Sequence, residues 1–121
     1  MEYLALVVED EKSLRTIYEM VLKEIGFKII HAADGQQAIE ILNDTTPDIV
    51  FLDMLLPRVN GTAVLDYLHN TPRFHNTQIV IVTAHDRFNH SGLLRPQDTF
   101  LLKPIHPRDL RNAAQRLTAE T

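Results

Sequence analysis

Five polar residues stand directly after apolar runs. Glu9 and Asp10 follow Tyr3–Val8, Asp53 follows Ile49–Leu52, Thr83 follows Gln78–Val82, and Lys103 follows Thr99–Leu102. Three carboxylates brought to one place repel, and their pKa values split unless a cation intervenes. Oxygen ligands select a hard ion, which makes Mg²⁺ (or Mn²⁺ in its place) the natural neutraliser. A carboxylate left facing outward beside such an ion is a candidate nucleophile toward phosphorus. Lys103 and Thr83 would then hold phosphoryl oxygens, by charge and by hydrogen bond. In outline this is an acyl-phosphate site.

Such a site needs elements that bring the five residues to one edge. Five short apolar runs recur along the chain: Tyr3–Val8, Lys28–Ala32, Ile49–Leu52, Gln78–Val82 and Thr99–Leu102. The third and fourth are nearly continuous in Ile, Val, Leu and Phe, as strands covered on both faces are. Helical periodicity fills the gaps. Leu14, Ile17, Tyr18, Val21, Leu22 and Ile25 fall at helical spacing, and Gly26 supplies a stop. Asp34 is placed to cap a helix through Gln37, with Ala38, Ile41 and Leu42 on its buried face. Asn60-Gly61 opens a third helix carrying Ala63, Val64, Tyr67 and Leu68, which ends before Pro72. His106-Pro107 sets the start of a last one, with Leu110, Ala113, Ala114 and Leu117 on one face. The crossover after the fourth strand breaks the pattern. Gly92 and Pro96 interrupt it and its apolar spacing is weak, which predicts a helix of at most about two turns within Asp86–Leu94.

Alternating strands and helices imply a parallel sheet with right-handed crossovers, hence an α/β three-layer sandwich. In such sheets ligands bind outside the carboxyl ends of the strands, where all five polar residues fall. The second strand ends in His31-Ala32-Ala33 and offers little chemistry.

Composition bounds the alternatives. The 121 residues are 45% apolar and 23% charged, with four Gly and six Pro, as suits one globular domain over residues 1–121. The absence of cysteine excludes disulfides, thiolate zinc sites and cysteine nucleophiles. A net charge of -4 speaks against a nucleic-acid or acidic-membrane footprint. No apolar run approaches the roughly 18 residues of a membrane span, and the N-terminus lacks the basic leader of a signal peptide. The six histidines show no ligand pair at i, i+4 backed by a carboxylate, and read as surface, capping or packing residues. A small soluble domain of the cytoplasm is expected, with no effector domain in this chain.

Five strings carry a family resemblance: Leu6-Val7-Val8-Glu9-Asp10-Glu11, the run Asp48 to Pro57, Asn60-Gly61, Val82-Thr83-Ala84 and Leu102-Lys103-Pro104. In this order and spacing they resemble the receiver domains of bacterial response regulators, over essentially the whole chain. The resemblance implies a flavodoxin-like fold with strand order 2-1-3-4-5. It implies a two-component phosphorelay module in which Asp53 is the phosphoacceptor, charged by a sensor histidine kinase or a His-phosphotransfer protein. Glu9, Asp10, Asp53 and the backbone carbonyl of Leu55 would bind Mg²⁺. Thr83 and Lys103 would hold the phosphoryl group, Thr83 and Phe100 would move together as a switch, and the Lys103–Pro104 peptide would be cis. Such a domain catalyses its own phosphorylation and dephosphorylation and is not a turnover enzyme.

The chain departs from the family pattern at three places. Leu55 and His85 occupy the positions that flank the hydrolytic water's path; Leu55 cannot orient that water by hydrogen bonding, which implies slow to moderate loss of the phosphoryl group. Phe100 lacks the hydroxyl of the commoner tyrosine. The segment Asp86–Thr99 is short and ends in Arg95-Pro96-Gln97-Asp98-Thr99 where a longer helix and a Gly-Ala turn are usual, which predicts the most mobile part of the fold. The face spanning 86–119, where receivers dimerise or meet effectors, is therefore the expected partner surface. Two other classes compete. One is a constitutive interaction domain that keeps the site without using it. The other is a Mg²⁺-dependent phosphohydrolase, which wants an aspartate as general acid where this chain has Leu55.

Overall fold

The structure is a computed structural model, and it describes residues 2–119. Strands and helices alternate: β1 (Leu4–Val8), α1 (Lys12–Glu24), β2 (Lys28–Ala32), α2 (Gly35–Asp44), β3 (Ile49–Leu52), α3 (Gly61–Asn70), β4 (Gln78–Thr83), β5 (Thr99–Leu102) and α4 (Pro107–Ala119). The strands form one parallel sheet in the expected order, β2-β1-β3-β4-β5. The middle strands β1, β3 and β4 are buried on both faces, which explains their unbroken apolar runs. Two core clusters result. On one face Leu6, Val8, Val50, Leu52, Ile79 and Ile81 meet α2, α3 and Phe88. On the other, Ala5, Val7, Phe51, Val80 and Val82 meet α1 and α4.

The helix ends follow local chemistry. Gly26 takes a φ of 89°, a left-handed conformation that glycine adopts without a Cβ penalty, just beyond α1. The Asp34 carboxylate accepts from Gln37 N at 2.8 Å while Gln37 Oε1 accepts from Ala33 N at 2.8 Å, a reciprocal cap. Asn60 Oδ1 accepts from Thr62 N at 3.0 Å, and His106 Nδ1 accepts from Arg108 N at 3.0 Å.

Local differences from the pattern have simple causes. The buried residues of α3 are Gly61, Val64, Leu65 and Leu68, spaced i, i+3, i+4, i+7; Ala63, assigned to that stripe from sequence, is exposed. Tyr3 precedes β1, although it packs on the core and stacks on Phe27. A 3₁₀ turn over Pro72–Phe74, unexpected from sequence, buries Phe74 completely.

The crossover from β4 to β5 contains a 3₁₀ turn, Asp86–His90, followed by irregular chain, in keeping with the expected short element. What holds it was not foreseen. The Asp98 carboxylate is wholly buried and accepts from Arg95 N at 2.8 Å, from the Arg95 guanidinium at 2.9 and 3.2 Å, and lies 2.8 Å from His69 Nε2 of α3. These contacts give the crossover an anchor that a helix would have supplied through packing.

Candidate functional site

The five polar residues meet at the carboxyl edge of the sheet because β1, β3, β4 and β5 are parallel and in register there. Val8 pairs with Leu52, so Glu9 and Asp53 emerge side by side; Thr83, expected just past its strand, is instead the last residue of β4 and pairs with Leu102, one position before Lys103. Glu9 is 1% exposed and Asp53 7%, whereas Asp10 is open to solvent. One oxygen of each carboxylate lies within 4.8 Å of the other two. Lys103 Nζ donates to Asp53 Oδ2 at 2.9 Å and sits 2.9 Å from Glu9 Oε1, the second contact being an ion pair without hydrogen-bond alignment. Glu9 Oε2 accepts from Glu11 N at 3.2 Å, and Asp53 Oδ1 from Leu55 N at 3.2 Å.

These contacts set the electrostatics. Burial pushes the Glu9 carboxyl above the ordinary carboxylate value, and the close Lys103 ammonium only partly offsets it. Burial pulls Lys103 down, but its hydrogen bond to Asp53 and the negative charges of Asp53 and Glu9 outweigh that and leave its ammonium above the ordinary lysine value. Burial raises Tyr18 well above the ordinary phenol value, and the negative charges of Glu9 and Asp53 add to it.

Thr83 is 0% exposed, and its Oγ1 has no hydrogen-bond partner among the described residues. A buried hydroxyl in this state costs free energy, and native structures leave few such groups. Its own carbonyl accepts from Lys103 N at 2.8 Å, which fixes Thr83 against the residue whose ammonium meets Asp53. The Lys103–Pro104 peptide is cis. Phe100 is half-buried on the α2/α3 cluster. His85 is half-buried, edge-on to Phe88 with centroids 6.5 Å apart, and Leu55 is 40% exposed.

The loop from Asp53 to Gly61 is held by close approaches that spacing alone does not reveal. A Cβ on Gly61 would collide with the backbone of Asp53 and Met54, and one on Gly35 with the Val59 carbonyl. Arg58 takes a φ of 63° and reaches Asp34 at 3.6 Å. Gly61 was read from sequence only as the opening of a helix; its need is steric, set by the turn of the loop back onto Asp53. Beside the site, a cleft of roughly 430 Å³ is lined by Glu11, Leu14, Ile17, Lys103, Pro104 and Ile105, among others. The three clustered carboxylates offer hard oxygen donors at a spacing one cation can bridge, so the residues fit a Mg²⁺ ion.

Comparison with known proteins agrees with this geometry. Protein PilG of Pseudomonas aeruginosa is 30% identical over 110 residues, covering 89% of this chain and 82% of that protein. Several other curated relatives are longer, and the chain spans less than half of each. Among solved structures, the chemotaxis response regulator CheY4 of Vibrio cholerae superposes with a TM-score of 0.86 at 23% identity, covering 97% of this chain and 99% of that one. The receiver domain of the Pseudomonas aeruginosa sensor histidine kinase PA1611, described with a magnesium ion coordinated in its active-site cleft, gives 0.85 at 24% identity over 98% and 99%. Both likenesses show a shared fold. Residues 5–115 match the family model for the response regulator receiver domain, and the chain belongs to that family.

Proposed function

We propose that the chain is a phosphorylation-switched signalling module in which Asp53 accepts a phosphoryl group from a phosphohistidine. The observation that carries this reading is a carboxylate set beside two candidate phosphate ligands, an engaged ammonium and an unpartnered buried hydroxyl. Asp53 already touches the Lys103 ammonium at 2.9 Å, while the buried Thr83 hydroxyl has no partner among the described residues. An Asp53 carboxylate oxygen attacks phosphorus, the P–N bond of the phosphohistidine breaks, and its electron pair returns to the departing imidazole. A Mg²⁺ ion held by Glu9, Asp10, Asp53 and the Leu55 carbonyl would neutralise charge on the phosphoryl oxygens. Lys103 pairs with one phosphoryl oxygen and Thr83 donates to another, which satisfies the orphaned hydroxyl and draws Thr83, and Phe100 beside it, into a new arrangement.

The donor is a sensor histidine kinase or a His-phosphotransfer protein. The apolar cleft between α1 and Pro104-Ile105 supports docking of its helix beside Asp53. Hydrolysis is slow to moderate because Leu55 cannot orient water and His85 alone can. Leu55 also stands where an outside-substrate phosphohydrolase needs its general acid, so the domain turns over only its own aspartyl phosphate. Output leaves through the 86–119 face to an effector or a second copy. The working compartment is the cytoplasm; no helix among the described residues is long and apolar enough to cross a membrane. The test is phosphotransfer from an autophosphorylated histidine kinase, with the product challenged by hydroxylamine. An acyl phosphate on Asp53 is cleaved; a hydroxylamine-stable product, or equal labelling of Asp53→Asn, would sink the proposal.

A further inference from the structure

The three clustered carboxylates are not held alike. Glu9 is fixed by Lys103 and the Glu11 amide, and Asp53 by Lys103 and the Leu55 amide. Asp10 is the exposed member, and its side chain has no hydrogen-bond or ion-pair partner among the described residues. Where its carboxylate stands relative to the other two is therefore set by the backbone of the turn from β1 to α1.

That turn is held from both sides. On the strand side, Glu9 N donates to Ala32 O at 3.0 Å. On the helix side, Glu11 stands at the N-cap of α1 but makes no side-chain cap bond. The hold comes instead from Arg15, whose Nη1 donates to the Glu9 carbonyl at 3.1 Å while its own amide donates to Glu11 O at 3.0 Å. The Glu9 carbonyl and the Asp10 N–H belong to one planar peptide. A bond to that oxygen orients the plane joining Glu9 to Asp10, two of the three clustered carboxylates. Arg15 is half-buried and differs from Lys103 in kind. Lys103 meets two carboxylates directly, whereas Arg15 meets none among the described residues and touches the site through a main-chain oxygen.

We infer that Arg15 is a positioning residue of the cation site: by fixing the Glu9–Asp10 peptide, it keeps the Asp10 carboxylate within reach of an ion shared with Glu9 and Asp53. This rests on the reading that these carboxylates hold Mg²⁺, and it names what arranges them. The two cations beside the site then act in opposite directions. Lys103 competes for the carboxylates, and Arg15 arranges them. Removal of a nearby positive charge by itself tightens Mg²⁺ binding, whereas loss of the arrangement weakens it, so the sign of the change decides.

The test is calorimetric titration of Mg²⁺ into the 121-residue chain, well below the unfolding midpoint of each variant. Arg15→Met should weaken binding about tenfold, the scale on which groups behind metal ligands act. Arg15→Lys keeps a donor for the Glu9 carbonyl and should recover most of that loss. Lys12→Met removes an exposed neighbouring cation whose ammonium has no partner among the described residues, and should not weaken binding. Binding by Arg15→Met as tight as in the wild type, or tighter, would overturn the inference, because the residue then acts through charge or stability alone. So would equal losses in Arg15→Lys and Arg15→Met, or an equal loss in Lys12→Met. Asp10→Asn separates the inference from the reading beneath it. If the wild type binds Mg²⁺ and Asp10→Asn binds it poorly, the cation site stands whatever the Arg15 variants do. If the wild type binds none, or Asp10→Asn binds equally well, the carboxylate site falls and the inference falls with it.

Discussion

Thr83 and Lys103 differ in how fully they are used before any ligand arrives. Lys103 bridges Asp53 and Glu9, whereas the Thr83 hydroxyl is buried without a partner among the described residues. Replacing an unsatisfied buried hydroxyl by a methyl of the same shape removes a desolvation cost. Thr83→Val should therefore raise unfolding stability by about 1 kcal/mol in chemical denaturation, while blunting the structural response to phosphorylation. A destabilised Thr83→Val would show that the hydroxyl has a partner after all. Lys103→Met withdraws the cation that neutralises Asp53 and Glu9. Calorimetric titration should find Mg²⁺ bound several-fold tighter, with phosphotransfer impaired, because the carboxylates lose an internal competitor. Weaker Mg²⁺ binding would mean that Lys103 organises the carboxylates more than it competes for them. Leu55→Asn supplies a polar side chain beside the acceptor and should speed decay of the phosphorylated form several-fold; an unaltered decay rate would count against the role given to Leu55.

Among the elements, the β4–β5 crossover departs furthest from the family pattern, and one carboxylate pins it. Removing one member of a buried charged cluster leaves the others unpaired, so Asp98→Ala should cost about 3 kcal/mol. In hydrogen exchange, amides of 86–98 should exchange faster than those of α1, and faster still in Asp98→Ala; protection equal to α1 would contradict this. This crossover also shows where sequence reading ends. Its shortness was legible from Gly92 and Pro96, but Asp98 looks like any loop carboxylate until His69 and Arg95 are seen around it. The meeting of the five polar residues at one edge was legible because each stands at the end of an apolar run, and a parallel sheet brings such ends together. The steric needs of Gly61 and Gly35 were not, since they depend on the path of a loop across another element. The buried stripe of α3 was misplaced at Ala63 because spacing alone does not fix which adjacent apolar residues face the sheet.

At the scale of the molecule, the carboxyl edge of the sheet buries charged and unpartnered polar groups that work against the fold. Because burial raises Glu9, its protonated form is favoured in the folded state. Stability from this group is fully present below the ordinary carboxylate value and is lost as pH rises toward Glu9's raised value. His31 acts oppositely: burial lowers it, with Glu19 pulling the other way, so its contribution is present above about 6.5 and lost as pH falls through the lowered value. Denaturation of Glu9→Gln and His31→Gln across pH should flatten the first and second windows respectively; unchanged slopes would refute the assignments. Mg²⁺ at 100 times its Kd should add about 2.7 kcal/mol to the wild type. Phosphorylation of Asp53 is covalent, so it is read by intact mass after incubation with a small phosphodonor and Mg²⁺. Wild type should gain one phosphoryl group and Asp53→Asn none; no adduct on folded, Mg²⁺-bound wild-type protein, or the same adduct on Asp53→Asn, would exclude Asp53 as the phosphoacceptor.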